Sequence, residues 1–364
     1  MVKAALLREQ GGPLELCEIE LPAPGPRQVR IRISAAGVCH SDLSLANGTL
    51  TQPVPAVLGH EGAGVVVEIG SEVTRVAVGD KVVLNWSPAC GECWFCDRDE
   101  PYLCEGSVAS EASAQPYATL ADGTPVYAGL GTGAFAEETV VDERAAVKVP
   151  DQTDLSDVAV MGCAVLTGAG AVFHTADVQP GQSVVIIGLG GIGLSVAQAA
   201  RVAGAHPIIG VDMSEEKGKV AAEHGVTDFV PSGPDAARAI RKLTGGRGAD
   251  HAFDCVGGAV TTRSAWSSTR RGGVVTVVGV GSKDSKVEFS ALELYWFGRT
   301  LHGCIYGRSN PDVDVPHLLE LAAQGEMDIA ALRTAITDLA GIDKAFDDMR
   351  EGRGIRTVVS LEQG

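Results

Sequence analysis

Residues Ser183–Asp212 read SVVIIGLGGIGLSVAQAARVAGAHPIIGVD, and this stretch decides the fold. Val184–Ile187 is a short β-branched apolar run, the pattern of a strand buried on both faces, and it opens directly into Gly188-Leu-Gly190-Gly191-Ile192-Gly193. Leu194, Ala197, Ala200 and Arg201 then follow at helical spacing, and a second apolar run, Pro207–Val211, ends on Asp212. Strand, glycine turn, helix and strand make one βαβ unit. In such a unit the first glycine permits the tight turn, the second lets the backbone approach a pyrophosphate, and the third lets helix and strand pack closely. The helix N-terminus then faces the phosphates with free N–H groups. A glycine turn alone has a purely structural reading. An acid about 20 residues past the last glycine completes the dinucleotide fingerprint, and Asp212 stands there. Its carboxylate suits a ribose 2′-OH and repels a 2′-phosphate, which favours NAD over NADP.

The rest of the chain extends this reading in both directions. Residues 1 to about 150 carry short alternating or β-branched runs broken by Gly and Pro, among them Gln28–Ser34, Gly64–Ile69, Lys81–Leu84 and Ala136–Val141. They predict an antiparallel, partly barrel-like domain. From Asp157 the period changes: a helix over Asp157–Thr175, then alternating strands and helices to Val280, the signature of a parallel sheet with helices on both faces. Two helical stretches, Val313–Gln324 and Gly341–Glu351, and a strand over Arg356–Leu361 are too short for a core of their own. They are expected to return to the first domain, which makes the nucleotide domain an insertion. The predicted boundaries are 1–165 with 305–364 for the first domain and 166–304 for the second.

Charge and composition exclude some partners. A formal charge of −17 argues against nucleic acid and anionic membranes, which both need a basic face. No basic start followed by an apolar segment marks a secretory leader, and the expectation is a cytoplasmic protein. In that reducing setting nine cysteines point to metal ligands or buried thiols before disulfides.

Cys90, Cys93, Cys96 and Cys104 lie within fifteen residues. Four thiolates can enclose one tetrahedral zinc with no open position. An iron–sulfur cluster or a redox switch uses the same residues, but the run lacks the Cys-Pro ending of a ferredoxin motif. More scattered are Cys39 in GVCHSD, His60-Glu61 in GHEG, and Cys163 in GCA. Singly, each is an ordinary buried residue; together, two thiolates and an imidazole suit a catalytic zinc with a free fourth position.

GVCHSD, GHEGAG, the four-cysteine lobe, GCAVLTG, GLGGIG with its later acid, and GIRT near the C-terminus together resemble the zinc-dependent medium-chain alcohol dehydrogenase family over essentially the whole chain. The resemblance implies a Rossmann doubly wound parallel sheet inserted in a β-rich, GroES-like catalytic domain, NAD as cofactor, two zinc ions per subunit, and interconversion of alcohols with aldehydes or ketones. It makes Cys39, His60 and Cys163 the catalytic zinc ligands, and Cys90, Cys93, Cys96 and Cys104 the structural ones. Glu61 becomes the acid beside the metal, and Asp42 the residue that orients the ligand histidine. His40 and Arg356 fall at cationic contacts to the pyrophosphate. Gly188, Gly190, Gly191, Ile192, Gly193 and Thr167 join the cofactor site, with Lys217 beside Asp212 near the adenosine ribose. Ser41 matches the hydroxyl that takes the substrate proton. Leu50, Trp86, Leu130, Val280 and Ile305 match the pocket lining.

One position departs from the family pattern: Ser44 stands where many members have a histidine that completes the proton relay. The relay then ends at the cofactor ribose and water, or His40 assists. Trp86 would narrow the inner pocket, and Gly129 beside Leu130 would widen its outer part, an expectation of a bulky or aromatic primary alcohol. The segment Ser107–Leu130 is expected to be a loop near the pocket. The alternative substrate is the hydroxymethyl adduct of a low-molecular-weight thiol, as in the related formaldehyde dehydrogenases. A reading from another class, a relative that binds NAD and zinc without turnover, conflicts with the intact ligand set. The family further implies a homodimer or homotetramer, with Asp284–Tyr306 the expected contact region.

Overall fold

The computed structural model describes residues 1–107 and 113–361. The chain divides into two compact units. One comprises Met1–Cys163, Asn310–His317 and Ile329–Gly364; the other comprises Ala164–Ser309 and Leu318–Asp328. Leu318–Asp328, expected in the first domain, thus belongs to the second. Leu318, Leu321 and Met327 in it are buried, and Gln198 accepts from the Asp328 N–H at 2.6 Å and donates to the Asp328 carbonyl at 3.0 Å.

The first unit is built on two sheets. In one, strands follow the order Leu14–Ile19, Val2–Leu7, Ala56–Val57, Pro125–Ala128, Pro116–Thr119. In the other, the order is Ala146–Lys148, Lys81–Leu84, Glu61–Ile69, Gln28–Val38, Arg356–Ser360, Arg333–Thr337, with Glu138–Asp142 also paired to Gln28–Val38. Alternation sets the inner face: Val29, Ile31 and Ile33 are buried, while Arg32 between them is exposed. Most pairs are antiparallel as expected, but two are parallel, Arg333–Thr337 with Arg356–Ser360 and Ala56–Val57 with Pro125–Ala128. The segment expected as a loop, Ser107–Leu130, contains a hairpin of Pro116–Thr119 and Pro125–Ala128 closed by the Asp122-Gly123 turn. Residues 108–112 of that segment lie outside the described residues.

The second unit is a six-stranded parallel sheet in the order Asp228–Pro231, Ile208–Asp212, Val184–Ile187, Ala249–Asp254, Thr269–Val277, Thr300–Gly303. Val184–Ile187 is buried throughout, as its unbroken apolar run requires. The following helix spans Gly191–Val202 and starts at the glycine turn itself. A Cβ on Gly193 would lie 1.9 Å from the Gly188 carbonyl, so only glycine permits this approach, whereas a Cβ on Gly190 would meet nothing within 4 Å. The middle glycine therefore leaves its backbone open to a ligand.

The predicted helix over Asp157–Thr175 is broken. Helical turns end at Gly162, Cys163 leaves the helical region at φ −141° and ψ −73°, and a new helix runs over Ala164–Gly170. The glycine just before the break packs against a distant strand: a Cβ at residue 162 would come within 2.1 Å of the Leu84 carbonyl. No single helix among the described residues is long and apolar enough to cross a membrane.

Candidate active site with two metal centres

Cys39 caps the short helix His40–Ala46, and Asp42 in its first turn is fully buried. The Asp42 carboxylate gathers three donors: the Cys39 N–H at 3.0 Å, the Gly59 N–H at 3.0 Å and His60 Nδ1 at 2.9 Å. A carboxylate only accepts, so Nδ1 carries the proton and Nε2 keeps its lone pair. Nε2 is buried and has no hydrogen-bond partner. One ligand atom each from Cys39, His60, Glu61 and Cys163 lies within 4.8 Å of the other three. An orphaned, buried imidazole nitrogen beside two thiols fits zinc, and the aspartate behind it supplies the outer hydrogen bond that orients a ligating histidine.

Charges around this cluster are arranged to favour thiolate. Cys39 is held well below the ordinary thiol range, first by its hydrogen bond with Cys163 and then by the Arg356 and His60 charges, against the penalty of burial. Burial alone would lower His60; the neighbouring Asp42 and Cys39 charges instead raise it well above the usual imidazole value. A metal ion takes the place of that proton. Glu61 is pushed up to about 8 by burial, opposed by the Arg356 guanidinium, whose Nη2 lies 2.9 Å from Glu61 Oε1. Arg356 also donates to the Val38 carbonyl at 3.3 Å. It is buried, so its side chain is committed to Glu61 and the strand beside it.

The second cluster is the lobe Cys90–Cys104. Its Sγ atoms are separated by 3.6 Å (Cys93–Cys96), 3.8 Å (Cys93–Cys104) and 4.0 Å (Cys90–Cys96). These are the edges of a tetrahedron of about 3.8 Å, which follow from zinc–sulfur bonds of about 2.3 Å. They are far too long for disulfides. Backbone N–H groups point at the sulfurs, from Cys90 to Cys104 Sγ at 3.2 Å and from Glu92 to Cys90 Sγ at 3.5 Å. Backbone N–H donors, that of Cys96 foremost, draw Cys93 down to about 6.

Other expected site residues fall as follows. Ser41 Oγ lies 3.9 Å from Cys39 Sγ, and Ser44 is one helical turn further on, half-buried; His40 is exposed. The Trp86 ring stands edge-on to His60 with centroids 6.4 Å apart, and Leu50 and Leu130 pack against the core of the first unit. Val280 and Ile305 belong to the second unit and are exposed there. In that unit Asp212 accepts from the Leu189 N–H at 2.8 Å and the Ser214 N–H at 3.0 Å, which ties the acid to the glycine turn. Gly188, Gly190, Gly191, Ile192 and Gly193 form that turn and the first helical turn. Lys217 lies in the helix Glu215–Glu223 that begins just beyond Asp212, and Thr167 is buried in the helix Ala164–Gly170. Sequence reading missed the Glu61–Arg356 pair; 295 residues separate the partners and no local pattern joins them.

Residues 25–151 match the alcohol dehydrogenase GroES-like domain, and residues 191–324 match the zinc-binding dehydrogenase family. The S-(hydroxymethyl)glutathione dehydrogenase of Photobacterium damsela subsp. piscicida is 37% identical over 366 residues, covering 98% of this chain and 99% of its own. The chain belongs to the zinc-dependent medium-chain alcohol dehydrogenases. Among solved structures, an alcohol dehydrogenase zinc-binding domain protein from Burkholderia ambifaria superposes with a TM-score of 0.94 at 34% identity, covering 100% of this chain and 99% of its own. The benzyl alcohol dehydrogenase of Acinetobacter calcoaceticus superposes with a TM-score of 0.91 at 29% identity, covering 99% of each chain. The family makes this chain an NAD-dependent zinc enzyme, and both thiol clusters have the donors for its two metal ions.

Two variants test the clusters separately. Cys104→Ala leaves three thiols in the lobe; zinc content should fall by one ion per chain and the melting temperature by about 10 °C, because structural zinc contributes folding free energy. An unchanged melting temperature and metal content would contradict a structural zinc there. Asp42→Ala removes the partner of His60 Nδ1 and should weaken the other zinc about 10–100-fold, measured by chelator competition, with the lobe zinc retained.

Proposed function

We propose that this enzyme oxidises the hydroxymethyl adduct of a low-molecular-weight thiol, with NAD as hydride acceptor. The observation that carries this reading is the full-length 37% identity to S-(hydroxymethyl)glutathione dehydrogenases. A free aromatic primary alcohol is the second reading, favoured by three observations. Trp86 stands edge-on beside His60, and the chain is similar to the benzyl alcohol dehydrogenase structure. Residues 33–74 and 99–143, which carry the helix His40–Ala46 and the expected pocket residues Leu50 and Leu130, also contain no Lys or Arg to pair with a peptide carboxylate.

Cys39, Cys163 and His60 Nε2 would hold the catalytic zinc. Zinc supplies Lewis acidity that makes a hydroxyl proton easy to lose, and NAD supplies the hydride acceptor. The rest of the work is done by the chain. Asp42 keeps the imidazole in one tautomer, the Arg356–Glu61 pair balances charge beside two thiolates, and the Ser41 hydroxyl receives the substrate proton. Ser44, on the same helical face, cannot relay that proton as an imidazole would, so it leaves by way of water or the exposed His40. Gly190 and the start of the Gly191–Val202 helix hold the pyrophosphate, and Asp212 and Lys217 hold the adenosine ribose; Arg356, expected at the pyrophosphate, is instead taken up by Glu61 and the Val38 carbonyl.

We also infer a homodimer. Thr300–Gly303 is the edge strand of the parallel sheet, and Leu292, Tyr295, Trp296 and Leu301 around it are exposed. An unpaired strand edge beside an apolar face is a self-association surface.

Three measurements test these readings. Formaldehyde oxidation should require added glutathione or another thiol; equal turnover of benzyl alcohol without thiol, and none of formaldehyde with it, would select the second reading. Ser44→His should raise kcat/KM near pH 7 by about tenfold, and an unaltered pH–rate profile would count against an incomplete relay. Light scattering should give twice the chain mass for the native protein and the chain mass for Trp296→Glu.

A further inference from the structure

Asp254 ends the strand Ala249–Asp254 and is completely buried. Its carboxylate collects four neutral donors. Oδ1 accepts from the N–H groups of Val256 and Gly257, both at 3.0 Å; Oδ2 accepts from the hydroxyls of Thr261 at 3.2 Å and Thr262 at 2.6 Å. Its main-chain carbonyl accepts the N–H groups of Val278 and Gly279, both at 2.9 Å. One residue therefore holds two successive loops at the carboxyl end of the sheet, its own loop through the side chain and the next through the backbone.

Those loops touch each other and the glycine turn in series. A Cβ on Gly188 would lie 2.6 Å from Val256 Cγ2. Gly257, at φ +84°, has its Cβ direction 2.3 Å from the Gly279 carbonyl, and a Cβ on Gly281 would be 2.1 Å from the Gly257 carbonyl. The Cys255 N–H donates to the Ile187 carbonyl at 2.9 Å, so the loop starts bonded to the strand that opens into the glycine turn. The sheet order reverses between Val184–Ile187 and Ala249–Asp254, and parallel sheets bind ligands in the crevice at such a reversal. Asp212 lies on one side of Val184–Ile187 and takes the adenosine end. The other end of a dinucleotide must then extend along the loops after Asp254 and Val277, which carry the exposed Val256 and Val280.

We propose that Asp254, with Thr262, is a positioning residue for the nicotinamide half of the cofactor: it sets the two loops that this half lies against, without touching it. The proposal rests on the NAD reading of the glycine turn. Its test compares NADH with ADP-ribose, which lacks the nicotinamide, by calorimetry and by NADH fluorescence on the zinc-loaded enzyme. Thr262→Val removes one hydroxyl at constant shape, Thr262→Ser keeps it, and Asp254→Asn disturbs the acceptor. Thr262→Val should weaken NADH about tenfold and shift its bound emission towards that of free NADH, while ADP-ribose binding stays within about twofold and Thr262→Ser behaves as wild type. Two outcomes overturn the proposal: NADH affinity within about twofold of wild type in both Thr262→Val and Asp254→Asn, or equal weakening of NADH and ADP-ribose. Thr262→Val alone decides the matter should Asp254→Asn fail to fold. Failure of ADP-ribose to bind the wild-type enzyme would instead overturn the NAD reading beneath it.

Discussion

The hydrogen bond between Asp42 and His60, 2.9 Å long and wholly buried, is the constraint on which the metal site depends. Asp42 holds the start of its own helix through the Cys39 N–H and the strand entrance through the Gly59 N–H. Cys39 and His60, which lie on separate segments, are thereby fixed to one carboxylate. A buried carboxylate is costly unless every lone pair finds a donor. Here the donors that satisfy it belong to the residues that must be positioned, so stability and function are met by the same bonds.

Charge balance follows from this arrangement. Two thiols and a glutamate packed together repel one another when ionised, and Arg356 lies against them with a direct bond to Glu61. Its guanidinium lowers Cys39 and opposes the upward push of burial on Glu61. A buried pair of this kind contributes little net stability, but loss of either partner leaves an uncompensated charge. Arg356 comes from the final strand, which pairs antiparallel with Gln28–Val38, the strand that leads into Cys39. The C-terminal segment completes the site.

What could be read from the sequence was what is local. GLGGIG and Asp212 announce themselves because turn, helix start and ribose acid fall within one βαβ unit, and the structure keeps that unit as written. Cys90, Cys93, Cys96 and Cys104 are close in sequence and close in space for the same reason. Cys163 was legible as a ligand only in combination with Cys39 and His60, and through the family resemblance. The break at Cys163 follows the glycine that lies against the Leu84 carbonyl, a contact that no helical period at 157–175 encodes. The strand Arg333–Thr337 has no strong apolar alternation and exists through its parallel partner. The role of Asp254 has no local signal: Thr261 and Thr262, which donate to it, sit seven and eight residues on, in a helix whose placement is tertiary.

Zinc-edge anomalous diffraction from crystals of the protein as purified tests the central claim most directly. Two peaks per chain are predicted, one equidistant from Cys90, Cys93, Cys96 and Cys104, the other bonded to Cys39, Cys163 and His60 Nε2 with Nδ1 still on Asp42. A single peak, or a second metal bound through Nδ1, would contradict it.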